Sequence, residues 1–245
     1  MKAEPSRQHA LLELQALDTR VAQCDHRRAS LPQRAELADL LPRLEAAASV
    51  VVLSQTAHDD VQRELRKADG DVQVVRDRMA RDQQRLDSGV GTAKDLQGLQ
   101  HEMTSLARRQ GVLEDDELEI MERAEAAERE ASAAVAEQQR LTQQAVSLTA
   151  QIEELEAEID ADRRATMRPR EGTADKVGAD LVALYDKIRA RSGTGAAALV
   201  ARGCSGCQLE LNAVEVSRFR TAEEDEVLRC EECSRILVRT GESGL

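Results

Sequence analysis

Aromatic side chains are all but missing from this chain: its 245 residues contain one Tyr, one Phe and no Trp. An ordinary globular core of that length needs more large apolar volume than 1% aromatics can supply. Proline is scarce as well. Only 4 are present, none between Gly91 and Met167, so nothing local interrupts a helix there. The sequence has no apolar run of about 18 residues, which argues against a membrane-spanning helix. The opening MKAEPSRQHALLELQ lacks the apolar stretch of an export signal. These absences predict a cytoplasmic protein, and in that compartment cysteines serve more often as ligands or catalysts than as disulfides. Positive charge is also in deficit. A net charge of -12 argues against a general phosphate-coating role, since such affinity comes from Lys and Arg neutralising phosphates. Phosphate-loop, nucleophile-elbow and helical His-Glu patterns are missing too, and the four histidines (His9, His26, His58, His101) stand singly without an i, i+4 companion. The chain therefore reads as no enzyme, with no small-molecule substrate.

What is present is helical periodicity. Charged residues make up 33% of the chain, and Leu96, Leu99, Met103, Leu106, Gln110, Leu113, Glu117, Ile120, Ala124, Ala127, Ala131, Ala134, Gln138, Leu141, Ala145, Leu148, Ile152, Leu155 and Ile159 recur in steps of three and four. About nine heptads of this pattern make a coiled-coil seam. The alanines from Ala124 to Ala134 read as close helix packing. An earlier seam runs through Leu37, Leu41, Leu44, Ala48 and Val51, then Val61, Leu65, Ala68, Val72, Val75, Met79, Asp82 and Leu86. Between the two lies Asp87-Ser-Gly-Val-Gly-Thr92, the one good reversal signal, with Thr92 and Asp95 spaced as an acidic capping box. The two seams are thus expected to fold back as an antiparallel hairpin with its turn near 88–92.

A shorter helix over about Ser6 to Ala29 carries Leu14, Leu17, Val21 and Cys24 at heptad spacing and ends at Ser30-Leu31-Pro32. Cys24 reads as buried filler. Pro42 predicts a kink or a second break, and Thr166-Met-Arg-Pro-Arg-Glu-Gly172 predicts the end of the long helix. A basic cluster, Arg163, Arg164, Arg168 and Arg170, sits at that joint. A linking helix is expected over about Ala174 to Arg191. The fold class expected is mainly α, a helical domain over 1–170 followed by a linking helix and a small β-containing domain over 171–245.

The most specific chemistry comes last: Cys204-Ser-Gly-Cys207 and Cys230-Glu-Glu-Cys233, two knuckles separated by 22 residues. Two residues between cysteines let one tight turn present both sulfurs to a single ion, and zinc takes four thiolates tetrahedrally. Competing readings are a redox dithiol, an iron–sulfur cluster and a disulfide pair; a redox Cys-x-x-Cys needs no second copy, and an iron–sulfur site would not predict two matched knuckles with ribbon strands. One structural Zn2+ on Cys204, Cys207, Cys230 and Cys233 is the expected cofactor. Short strands are expected at Ala196–Val200, Gln208–Val214 and Arg235–Arg239, with a hairpin between the knuckles.

Arg202-Gly-Cys-Ser-Gly-Cys-Gln-Leu and Val227-Leu-Arg-Cys-Glu-Glu-Cys-Ser-Arg-Ile-Leu-Val, together with Lys94-Asp-Leu-Gln-Gly-Leu-Gln-His-Glu-Met103 after the turn, resemble the bacterial C4-type zinc ribbon domain family with an N-terminal coiled-coil hairpin. The resemblance implies adaptor work: chaperoning an alternative sigma factor, or binding nucleic acid. From Gly193 to Leu245, however, six arginines face nine acids, and Phe219 is the only aromatic available for base stacking. Two functions follow as expectations. One is a non-enzymatic zinc-ribbon coiled-coil adaptor for protein partners, with a transcription factor among the candidates. The alternative is a nucleic-acid-binding regulatory protein contacting DNA or RNA weakly through Arg163, Arg164, Arg168, Arg170, Arg218 and Arg220.

Overall fold

The computed structural model describes all 245 residues. Helices α1 (Pro5–Ala29), α2 (Pro32–Ser88), α3 (Ala93–Val177) and α4 (Ala179–Ser192) precede strands β1 (Ala196–Val200) and β2 (Gly203–Cys204), helix α5 (Ala213–Thr221), and strands β3 (Leu228–Arg229) and β4 (Ile236–Arg239). The chain divides into two compact units, Ala35–Thr149 on its own, and Met1–Arg34 together with Ala150–Leu245.

The first unit is the helical hairpin. Within it the expected seam positions of α3, from Leu96 to Leu148, are all buried or half-buried, as are those of α2 from Val61 to Leu86. Asp82 is 7% exposed, and one of its carboxylate oxygens has no hydrogen-bond partner. The turn forms where the glycines stand: Gly89 and Gly91 take φ of 63° and 141°, a region that side chains disfavour. Thr92 then caps α3. Its N–H and hydroxyl both donate to Asp95 Oδ2, at 3.0 and 2.7 Å, and these bonds hold the Asp95 carboxyl below its ordinary range. Pro42 does not break α2, which runs through it. The seam there uses Leu40, 5% exposed, while Leu41 points out at 53%. The stripe steps by three from Leu37 to Leu40 and then by four to Leu44, which leaves Leu41 outside it.

The second unit contains the cysteines. α1 lays Leu11 and Leu14 against Val177, Leu181, Tyr185 and Ile188, and against the sheet residues Ala196, Ile236 and Val238. The sheet order is β2-β1-β4-β3, with β1 and β4 parallel in the middle. Alternation then sorts its residues: Ala196, Ile236 and Val238 face the helices, and Ala197, Leu199 and Leu237 face Phe219 and the cysteines. Two expected features are corrected here. Gln208–Val214 is no strand beyond a single bridge at Glu210, because Asn212 and Glu215 form a capping box that opens α5. A helix, not a hairpin, therefore lies between the knuckles.

The long helix also ignores its expected stop at Pro169 and Gly172 and continues to Val177. An internal Pro costs about 3 kcal/mol, yet Thr166, Thr173 and Val177 are buried on the face that packs inward, and Arg170 reaches Asp18 from that same face. Tertiary burial outweighs the local penalty. The break falls instead at Gly178, with φ 87°, where Arg7 of α1 donates to the terminal Val177 carbonyl at 2.7 Å and pairs with Asp180. A Cβ at Gly178 would meet Arg7 Nη2 at 2.5 Å.

At the centre of this unit is Asp18, whose side chain is 1% exposed. It accepts from Arg170 Nε at 2.6 Å and Tyr185 Oη at 2.8 Å, and lies 3.3 Å from Arg189 Nη1. Burial, then the bond to Asp18, pushes the Tyr185 phenol well above its usual range. Next to it, Gln15 Oε1 accepts from the Gly195 N–H at 2.7 Å and so ties α1 to the start of β1. Because breaking a buried ion pair strands its partner charges, Asp18→Asn is expected to destabilise this unit by about 3 kcal/mol, against about 1 kcal/mol for Tyr185→Phe, which removes one hydrogen bond. Urea unfolding followed by circular dichroism of both variants checks the ranking; equal small effects would contradict it.

Candidate metal centre

Each knuckle is built the same way. Gln208 and Ser234, the residues that follow the second cysteine of each pair, sit at φ 61° and 62°, and each donates its N–H to the carbonyl of the first cysteine, at 2.8 Å to Cys204 and 2.9 Å to Cys230. That left-handed residue turns the chain so both sulfurs of a pair point inward. Strand pairing brings the two turns together, since Cys204 closes β2 against β1, while the Cys230 N–H donates to the Arg235 carbonyl at 3.0 Å just before β4. α5 braces the second turn. Glu215, 3% exposed, takes the Asn212 N–H on one oxygen at 3.2 Å and the Glu231 N–H on the other at 3.3 Å.

The four ligand sulfurs lie within 4.8 Å of one another, with Cys204 to Cys233 at 3.8 Å and Cys207 to Cys230 at 3.9 Å. A tetrahedral zinc with bonds of about 2.3 Å requires sulfur separations of about 3.8 Å. The donor set therefore fits one Zn2+, and four protein thiolates leave no open position for water. Such a site adds folding energy and carries no chemistry of its own. The thiols are not electrostatically alike. Burial pushes Cys204 up and Cys230 up to about 12. At Cys233 burial also pushes upward, but the Arg235 N–H and the neighbouring thiols outweigh it and lower the group to about 7.

The expected arginines are not brought together. Arg163 pairs with Asp25 at 2.9 Å, Arg170 with Asp18, and Arg218 with Glu231 at 2.9 Å while covering the Phe219 ring at 4.9 Å. Arg164, Arg168 and Arg220 remain exposed. Cys24 is buried. Reading the sequence alone misses a different cationic group, Lys187, Arg191 and Arg229, which meet around one cleft beside the second knuckle. The i, i+4 spacing of Lys187 and Arg191 is a visible signal, but nothing local relates Arg229 to them.

Residues 14–193 match the CT398-like coiled coil hairpin domain family, and residues 204–237 the C4-type zinc ribbon domain family. An uncharacterized protein of Mycobacterium tuberculosis is 35% identical over 239 residues, 98% of each chain. One from Mycobacterium leprae is 28% identical over 224 residues, 90% of this chain and 95% of its own. Among solved structures, a Mycobacterium smegmatis protein superposes with a TM-score of 0.79 at 32% identity, covering 98% of this chain and 100% of its own. CT398 from Chlamydia trachomatis gives 0.60 at 17% identity, covering 96% and 98%, a likeness of fold alone.

Two outcomes follow from the site. Metal analysis of the purified chain should return about one zinc per molecule, and Cys230→Ser should release it while most helical circular dichroism survives, because the hairpin seam does not depend on the metal; iron in its place would refute the assignment. Since Cys204 and Cys230 hold their protons more tightly than free cysteine, zinc must displace them. Its affinity should fall steeply as pH drops from 7.5 to 5.5, and competition with a chromophoric chelator measures this; a flat profile would contradict it.

Proposed function

As the chain belongs to the CT398-like coiled-coil hairpin family and carries a C4-type zinc ribbon, we propose that it is a non-enzymatic adaptor that binds protein partners inside the cell, a component of the transcription machinery among them. The observation that carries the reading is the outer surface of the hairpin. Val52, Leu53, Val112, Leu118 and Val146 are 58–70% exposed although the seam between the helices is covered. Val50, Val52 and Leu53, all more than half exposed, fall within four residues of α2, and apolar side chains grouped in this way are surface for another protein to cover. A closed thiolate site supports the same reading, because it braces the ribbon and leaves no position for a substrate. No helix is long and apolar enough to cross a membrane.

The alternative, nucleic-acid binding, draws on Arg164, Arg168 and Arg220, three exposed cations that can neutralise at most about three phosphates. Both aromatics are buried, Tyr185 at 0% and Phe219 at 1% exposure, which leaves no stacking platform. Affinity purification from native lysate, with and without nuclease, separates the two readings. Partners that persist through nuclease, and are lost when Val52→Asp and Leu53→Asp are combined, are the expected result. Partners that vanish with nuclease would transfer the function to nucleic acid.

A further inference from the structure

Beside the second knuckle, α4 and the ribbon enclose a cleft of about 460 Å³. Its rim carries Lys187 and Arg191 from α4 and Arg229 from β3, and its floor includes Leu184 and Ile188, the latter 6% exposed. None of the three cations is paired with an acid of the protein. Arg229 uses Nε to hold the Ser234 carbonyl at 3.1 Å, which orients its guanidinium and leaves the terminal N–H groups free. Of the neighbouring acids, Glu231 pairs with Arg218 and Asp186 with Arg170, while Glu232 beside Cys233 pairs with no cation.

We propose that this cleft docks an extended acidic peptide segment of a partner protein. The inference rests on the adaptor reading and names the chemistry of one contact. Two features select a peptide. Lys187 and Arg191 stand one helical turn apart, about 6 Å along the axis, close to the roughly 7 Å between alternate residues of an extended strand. An acid-x-acid segment therefore places one carboxylate at each cation, with Arg229 reaching the segment from the opposite rim. Its intervening or flanking apolar side chain then covers the half-buried Leu184. A nucleic-acid strand would bring phosphates to the same cations but bases with no exposed aromatic to stack on.

Fluorescence anisotropy on the zinc-loaded full chain tests this, with a fluorescein-labelled Glu-Ala-Glu-Leu-Glu peptide and, separately, a labelled single-stranded oligonucleotide of equal charge as probes. Binding of the peptide should weaken with added salt. It should fall at least tenfold in the double variant Lys187→Glu, Arg191→Glu and at least threefold in Arg229→Gln, with zinc content unchanged. Arg108→Glu with Arg109→Glu, cations of α3 outside the cleft, should leave it unaltered. Peptide binding that is absent in the parent protein, or equal in the parent and the cleft variants, would overturn the proposal, as would an oligonucleotide held more tightly than the peptide through the same residues. Partners still captured from lysate by the Lys187→Glu, Arg191→Glu variant would show the adaptor reading standing without this cleft.

Discussion

One buried carboxylate organises the part of the molecule that holds the metal site. Asp18 draws Arg170 from α3 and both Tyr185 and Arg189 from α4 onto a single side chain of α1. A buried ion is costly unless every lone pair is used, and here two cations and a phenol use them. The consequence is geometric. With α1 held at Asp18, its Gln15 meets the backbone at the start of β1, and its Arg7 meets the end of α3. The central parallel pair of the sheet then has a defined place against the helices, and the knuckles sit at the ends of its strands.

The scarcity of aromatics explains why the rest is arranged as it is. A chain without bulky core residues can bury apolar area only by pairing narrow stripes, and each seam of the hairpin is the other's cover. The two aromatics that exist stand at the two places where layers meet, Tyr185 under α1 and Phe219 between α5 and the sheet. The ribbon's own core, built on Phe219, Leu199, Leu228 and Leu237, is small, and two of its buried members are the ligands Cys204 and Cys230. The metal site thus does part of the work of a hydrophobic core, which is how small domains reach stability.

The ribbon also offers the contrast between cations that are used internally and those that are not. Arg235 donates to the Ser192 carbonyl and to Thr194, and Arg239 donates to the Phe219, Ala222, Glu223 and Glu224 carbonyls at the end of α5. Those arginines close helix ends. Lys187 and Arg191 close no helix end, and Arg229 spends only its Nε, on the Ser234 carbonyl, so their remaining N–H groups line the cleft.

Much of this was legible from residue order. The seam positions of α3, the turn between Ser88 and Ala93 with its Thr92–Asp95 cap, the break before Pro32, the strand β1 and all four zinc ligands follow from periodicity and spacing, because each is a local property of the chain. The capping box at Asn212 and Glu215 is equally local, and it outweighs the strand pattern of Gln208–Val214. The rest had no local signature. Pro169 and Gly172 should end a helix by their own chemistry, and only the burial of Thr166, Thr173 and Val177 and the reach of Arg170 to Asp18 keep it going. Arg163, Arg170 and Arg218 look like one kind of residue in the sequence, yet their acids lie up to 152 positions away. By itself, then, the sequence determined the hairpin's seams, its turn and the metal site, where neighbours a few residues apart supply the physics. Which charges are cancelled and which are left free was decided only when the tertiary structure brought distant side chains within hydrogen-bonding range.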